Sequence, residues 1–134
     1  MTKYLLISFT LFFFISCGGE ASIENSEVDG VVNEKYAAGK EVYDKTCVVC
    51  HMADGNGLEG TFPPLAKSDY LLKDPKRALK QVLEGSAEEM SVNGVIYNGI
   101  MPAQELTDEE AVNVVNYILN AWGNDGGEVS IKDL

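Results

Sequence analysis

Two cysteines three positions apart, with the chain's one histidine directly after the second, constrain this sequence more than any other feature. They are Cys47, Cys50 and His51 in the stretch "CVVCHMADGNGLEG". Three chemistries use such a group: a redox dithiol, half of a zinc site, or a haem joined to the chain by thioethers. Each demands a different fold around it, so the rest of the sequence decides among them.

Zinc in a structural site takes four ligands, usually two cysteine pairs or a pair with two histidines. This chain offers three at most, and adjacent His51 and Cys50 close one tetrahedron poorly. A redox dithiol starts a helix after a strand, in a βαβ setting. Here the motif follows an amphipathic stretch, "NEKYAAGKEVYDKTC", with Tyr36, Gly39 or Lys40, Tyr43 and Cys47 at helical spacing. The third chemistry uses every residue. Two thiols on one helical turn add across the two vinyl groups of a haem, and the next residue turns its imidazole to the iron as a ligand.

The ends of the chain bear on where this chemistry happens. Residues 1–16 have one charge, Lys3, then an apolar run from Tyr4 to Ile15. That is shorter than the ~20 apolar residues of a membrane-spanning helix and has the layout of a secretory signal; a retained short anchor is the alternative. "FISCGG" resembles a bacterial lipobox, in which the chain is cut before a cysteine that then carries lipid, and this assigns the third cysteine, Cys17, to lipidation. Acyl chains add ~0.8 kcal/mol per buried CH₂, and two or more hold a protein stably on a membrane. Residues 17–33 are then a lipidated cysteine and a polar, acidic tether, whose length is roughly 20–25 Å on average. The formal net charge of −11 becomes one unit more negative when Lys3 is lost. Such a chain lacks the basic face of a nucleic-acid binder.

The remainder reads as helices joined by long loops. In "DPKRALKQVLEG", Asp74 is an N-cap, Pro75 the first helical residue and Gly85 the terminator, with Ala78, Leu79, Val82 and Leu83 as the apolar stripe. "TDEEAVNVVNYILNAWG" opens with a capping box, Thr107 with Glu110, and is expected to run to Gly123 with Trp122 in its core face. Asn93-Gly94 between short apolar runs predicts a hairpin. Residues 55–72 show no period, yet carry Gly55, Gly57, Gly60, Pro63 and Pro64; a structureless stretch that long usually has work to do. The glycines are expected to let the backbone approach a cofactor edge.

Taken together, these motifs resemble class I cytochrome c, over about residues 36–124. Gly39 and Tyr43 look like the small and aromatic residues of the family's N-terminal helix, and Val114 and Tyr117 like their counterparts on the C-terminal helix. "CVVCH" with the following "GNG" is similar to the family's haem motif. The run "GTFPPLA…VNGVIYNGIMP…LTDEE…NAWGN" resembles small bacterial cytochrome domains found alone or fused to copper nitrite reductases and oxidase subunits. The resemblance implies an all-α fold, with N- and C-terminal helices crossing over a haem pocket, a short β-hairpin and long loops. It implies one covalent haem c on Cys47 and Cys50, and iron held by His51 and by Met101 from the "YNGIMPAQ" loop. It assigns the Pro63 carbonyl to His51 Nδ1. Tyr97 is expected either to hydrogen-bond a haem propionate or the region of the Met101 sulfur, or only to pack. Of the other methionines, Met1 is in the signal, Met52 adjoins His51 and Met90 precedes the hairpin turn.

The domain expected is 34–124, followed by a C-terminal tail, 125–134. What the resemblance implies is a monomeric, exported electron carrier, not an enzyme, lipid-anchored at the periplasmic face of a bacterial membrane. Its expected partners are redox proteins: a quinol-oxidising complex, and a terminal oxidase or reductase. The alternatives are a fixed subunit of an oxidase or nitrite reductase complex and, from another class, a peroxidase-like haem enzyme with an open iron position. The charge map is uneven: Lys67, Lys73, Lys76, Arg77 and Lys80 cluster before the hairpin, while Glu105, Asp108, Glu109 and Glu110 follow Met101. The acids suit a helix start, and a partner with a basic face suits them too.

Overall fold

The computed structural model describes residues 34–134. The signal, Cys17 and the tether lie outside the described residues. A 3-10 turn at Glu34–Tyr36 leads into helix α1 (Ala37–Thr46), which breaks at Cys47 and continues as the single turn α2 (Val48–His51). Then come α3 (Asp69–Lys73), α4 (Pro75–Glu84), strands β1 (Met90–Val92) and β2 (Val95–Tyr97), α5 (Asp108–Asn120) and a last 3-10 turn, Ile131–Asp133. Apart from one antiparallel hairpin and two isolated bridges, the regular elements of the described chain are all helical and are joined by long loops, as the resemblance implies.

The crossing of α1 and α5 organises the core. A methyl group on Gly39 would stand 2.0 Å from the Asn113 carbonyl oxygen and 2.7 Å from Tyr117 Cβ, so only a residue without Cβ fits there. One turn on, Tyr43 packs on Tyr117 with ring centroids 5.5 Å apart. The inner face of α5 buries Ala111, Val114, Val115, Tyr117, Ile118 and Leu119, against Leu79 and Val82 of α4 and Leu71 of α3. Burying such side chains contributes roughly 1.5–3 kcal/mol each against leaving them in water.

The local signals behave as the sequence predicts. Asp74 Oδ1 accepts from Arg77 N at 3.2 Å, with Pro75 in the first turn of α4. Thr107 and Glu110 close a capping box on α5. Asn93 and Gly94 both take positive φ, 51° and 83°, which is the backbone of a type I′ hairpin. Asn93 also exchanges hydrogen bonds with Asp69, N to Oδ1 in both directions, at 2.7 and 3.0 Å, tying the hairpin turn to the start of α3.

Three expectations need correction. Residues 55–72 are not wholly irregular: Ser68 caps α3 by accepting from Leu71 N. Five residues are too few to show a period. Helix α5 ends at Asn120, so Trp122 lies beyond it at φ 52°, in the turn that redirects the chain. Its indole N–H donates to the Ala53 carbonyl at 3.0 Å, and its ring packs on Tyr43 and Tyr117. Residues 125–134 are part of the body and not a tail. Val129 is buried in the core, its backbone N–H and C=O both bonded to the Asn116 side chain, and Asp133 pairs with Lys76 at 2.7 Å.

Candidate cofactor site

Cys47 caps the C-terminus of α1, donating its backbone N–H to the Tyr43 carbonyl, and starts the turn that carries Cys50 and His51. Cys47 is buried, and burial pushes its thiol pKa up. The two cysteines are not joined by a disulfide. His51 is 8% exposed and its Nδ1 lies 3.0 Å from the Pro63 carbonyl oxygen. A carbonyl can only accept, so this bond puts the proton on Nδ1 and leaves the Nε2 lone pair free. Burial lowers the pKa of the ring below its ordinary value, and the Pro63 contact opposes that only in part. The imidazole is therefore neutral and oriented, the state that binds a metal ion.

His51 faces a cavity of about 420 Å³, within the ~300–1,000 Å³ usual for a cofactor site. Cys47, Cys50, Pro63, Tyr97 and Met101 line it as well. Every candidate site residue from 34 onward thus meets in one place. Tyr97 is buried on β2. Met90 of β1 also lines the cavity, whereas Met52 is exposed and does not.

The loops are held by contacts that sequence reasoning missed. Met101 is anchored by a two-way bridge with Ser86, N–H to carbonyl in both directions at 2.8 Å. A Cβ on the preceding Gly85 would meet the Met101 carbonyl at 2.7 Å. Asn124, 8% exposed, clamps the proline loop to α5: its Oδ1 accepts from Lys67 N, and its Nδ2 donates to the Leu65 and Ile118 carbonyls. The "NAWGN" ending was the available signal. Gly55 and Gly57 have positive φ, but the space they free is not at the cavity. The Trp122 ring fills it at Gly55, and the Phe62 carbonyl at Gly57.

Other chemistries fare poorly. Among the described residues no three His, Cys, Asp or Glu side chains gather to hold a metal ion, and those from 34 to the cysteine motif form helix and no strand. A cavity lined mainly by apolar side chains, with two thiols and one imidazole in its wall, fits a flat, hydrophobic macrocycle with iron at its centre. A sequence profile of the family described as cytochrome c matches residues 36–122. The chain is a cytochrome c. Its relatives include cytochrome c-552 of Thermus thermophilus, 38% identical over 93 residues that make up 66% of this chain and 70% of that protein. The cytochrome c subunit of a quinone alcohol dehydrogenase from Gluconobacter oxydans is 36% identical over 100 residues, 72% of this chain and 21% of the subunit. The gluconate 2-dehydrogenase cytochrome c subunit of Pantoea cypripedii is 33% identical over 101 residues, 72% of this chain and 23% of the subunit. Among these, the chain spans about a fifth of the length of the dehydrogenase subunits. This cytochrome c has the class I mono-haem fold and carries covalently bound haem c, with iron, for electron transfer.

Proposed function

We propose that this cytochrome c carries single electrons between membrane-associated redox proteins, transforming no substrate of its own, with Cys47 and Cys50 bonded to its haem and His51 and Met101 ligating the iron. The observation that carries this reading is the His51 ring, fixed through Nδ1 by Pro63, with Nε2 unbonded beside a largely apolar cavity that Met101 shares. When bound, the haem supplies one-electron exchange at its iron, and the protein supplies position and electrostatics. Cys47 and Cys50 would hold the vinyl edge. His51 would give a basic imidazole, its ring kept in place by the Pro63 carbonyl. Met101 would give a thioether, which raises the potential relative to stronger donors. Leu71, Val82, Val115 and Ile118, buried in the cavity wall, would exclude water from the iron. Tyr97 would either donate to a propionate or fill space beside Met101.

Val49 and Ile100 line the cavity yet are 76% and 78% exposed. They would give a partner an apolar contact next to the haem, on a protein whose net negative charge favours encounter with basic partners. A second reading, a fixed electron-transfer subunit in a larger redox complex, is favoured by relatives named as cytochrome c subunits of dehydrogenases. Among the described residues no helix is long and apolar enough to cross a membrane. We ascribe attachment at the periplasmic face to lipid on Cys17, on the strength of the lipobox-like "FISCGG".

The test of ligation compares Met101→Ala with Met90→Ala in the holoprotein. Only Met101→Ala should remove the weak sulfur-to-iron band of the oxidised form and lower the potential. The reverse pattern would move the ligand to Met90. The test of attachment is Cys17→Ser, which should shift the protein from the membrane to the soluble fraction; a variant that stays on membranes after a high-salt wash would place the anchor elsewhere.

A further inference from the structure

The hairpin differs from the helices in how it is held. Its strands, β1 and β2, have three residues each, and a two-stranded hairpin of that size is marginal by itself in water. It packs through one face. Val92 and Tyr97 are buried and, with Met90, line the haem cavity, while Ser91 and Ile96 on the other face are exposed. At its base the two-way bridge between Ser86 and Met101 closes the excursion. Among the described residues, the segment 87–100 hydrogen-bonds to the chain outside it at one place only, Asp69, the first residue of α3.

That place is doubly bonded. Asp69 Oδ1 accepts from Asn93 N at 2.7 Å, and Asn93 Oδ1 accepts from Asp69 N at 3.0 Å. The first bond ends on a carboxylate, which makes it the stronger kind. The second gives a partner to a first-turn N–H of α3, which no helix satisfies internally. Asn93 serves both the turn and the bond. It takes φ 51°, a backbone region that asparagine tolerates, and its amide reaches α3. The hairpin is thus pinned at its tip to the start of α3 and at its base to Ser86, just past α4. Leu71 of α3 and Val82 of α4 share the cavity wall with it. The base pin holds the backbone of Met101 itself, so a tip that lifts loosens the segment leading into Met101.

We propose that the Asp69–Asn93 pair is a latch, and that Asp69 and Asn93 are positioning residues for the Met101 side of the haem. Closed, the hairpin keeps Met101 in place and small solutes away from the iron; open, it admits them. Both residues are exposed, so the latch opens more often than the helix crossing unfolds. The net contribution of one hydrogen bond makes loss of either bond raise the open population roughly threefold to tenfold. The open form remains a small minority, so the resting protein is unchanged. In an electron carrier such a latch keeps the iron from taking ligands other than the protein's own. The inference rests on the reading of Met101 as the ligand, and the experiment separates the two.

The test uses the mature oxidised holoprotein with imidazole as the entering ligand, in wild type, Asp69→Ala, Asp69→Asn, Asn93→Gly, Glu89→Gln and Met101→Ala. Asn93→Gly keeps the positive φ of the turn and deletes the amide. Asp69→Asn keeps an oxygen acceptor. Glu89→Gln removes an equal charge from an exposed position just before β1. At saturating imidazole, binding is limited by opening. Its rate should rise roughly threefold to tenfold in Asp69→Ala and in Asn93→Gly, and stay near wild type in Asp69→Asn and Glu89→Gln. The sulfur-to-iron band and the potential of these four resting proteins should match wild type. In wild type, the Asp69 and Asn93 amide protons should exchange slowly, and faster once imidazole is bound, while amides of α1 and α5 keep their rates. The inference is overturned if neither Asp69→Ala nor Asn93→Gly quickens binding, or if Glu89→Gln or Asp69→Asn quickens it as much. It is equally overturned if imidazole binds to wild type without quickening those two amides, and this comparison decides the matter even if a variant fails to accumulate. Wild type that bound imidazole as fast as Met101→Ala would instead refute Met101 as the ligand.

Discussion

Replacing Gly39 by alanine tests the helix crossing on which the site is built. The added methyl would begin 2.0 Å from the Asn113 carbonyl oxygen and 2.7 Å from Tyr117 Cβ. Neither neighbour is the free end of a side chain, so α1 and α5 must part by about 1.5 Å before the methyl reaches ordinary contact distance. Overpacking of this kind costs about 1–3 kcal/mol and occasionally more. Alanine returns up to ~1 kcal/mol through helix propensity. A clash with backbone belongs at the upper end of that range, so the balance is a loss of about 2 kcal/mol, and for a domain of this size each kcal/mol lowers the melting temperature by roughly 4–8 °C. Thermal unfolding of the oxidised holoprotein, followed by circular dichroism, should show a fall of about 8–16 °C, larger again for Gly39→Val. The loss should reach the site as well. Tyr43 packs on Tyr117 and its hydroxyl donates to the Met52 carbonyl at 2.7 Å, just after His51. A Gly39→Ala variant that melts with wild type, or a flat Gly, Ala, Val series, would refute the reasoning.

Asn124→Ala removes three hydrogen bonds from a buried side chain, and denaturant unfolding should report a loss of about 2–4 kcal/mol. Because Lys67 and Leu65 follow Pro63 in the same loop, its reduction potential should change too; stability lost with an unmoved potential would mean that the clamp does not govern the His51 contact. Asp133→Asn tests the docking of the C-terminal segment. Hydrogen bonding from Lys76, and then from Ser130, holds the Asp133 carboxyl at about 2, below the ordinary 3.8. A depressed value stabilises the fold above the ordinary value, and the contribution disappears as pH falls through about 2. Amide exchange in residues 126–134 should therefore be faster in Asp133→Asn than in wild type near neutral pH, and the difference should vanish at strongly acid pH. Equal exchange at neutral pH would show that the pair does not hold the segment.

What the sequence disclosed and what it hid follow from the range of the interactions. Cys47, Cys50 and His51 act through spacing within one turn, so their pattern is complete in five letters. Thr107 with Glu110, Asp74 with Pro75, and Asn93-Gly94 are also local, and each gave its element and nearly its boundary. The end of α5 was misjudged because Trp122 continues the apolar period past Asn120, while the aromatic packing on Tyr43 and the bond to Ala53 draw it out of the helix. Val129 looked like part of a tail because its core contacts are on another element, and the Asn116 bonds that seat it have no signature in neighbouring residues. The same holds for Asn124, bonded to Lys67 at a separation of 57 residues, and for Ser86, whose bridge to Met101 joins two loops. Asn93 was visible only as a turn residue. Its bond to Asp69 spans 24 residues and has no local pattern.

The central claim is that one haem is bonded to the chain through Cys47 and Cys50. Mass spectrometry of the tryptic peptide spanning residues 46–67 tests it most directly, since that peptide contains both cysteines and His51 and ends at Lys67. The account predicts a peptide heavier by one haem, with neither thiol open to alkylation, and a denatured protein that keeps its colour in acid–acetone. A peptide of unmodified mass with two alkylatable thiols, from protein that was red when isolated, would contradict it.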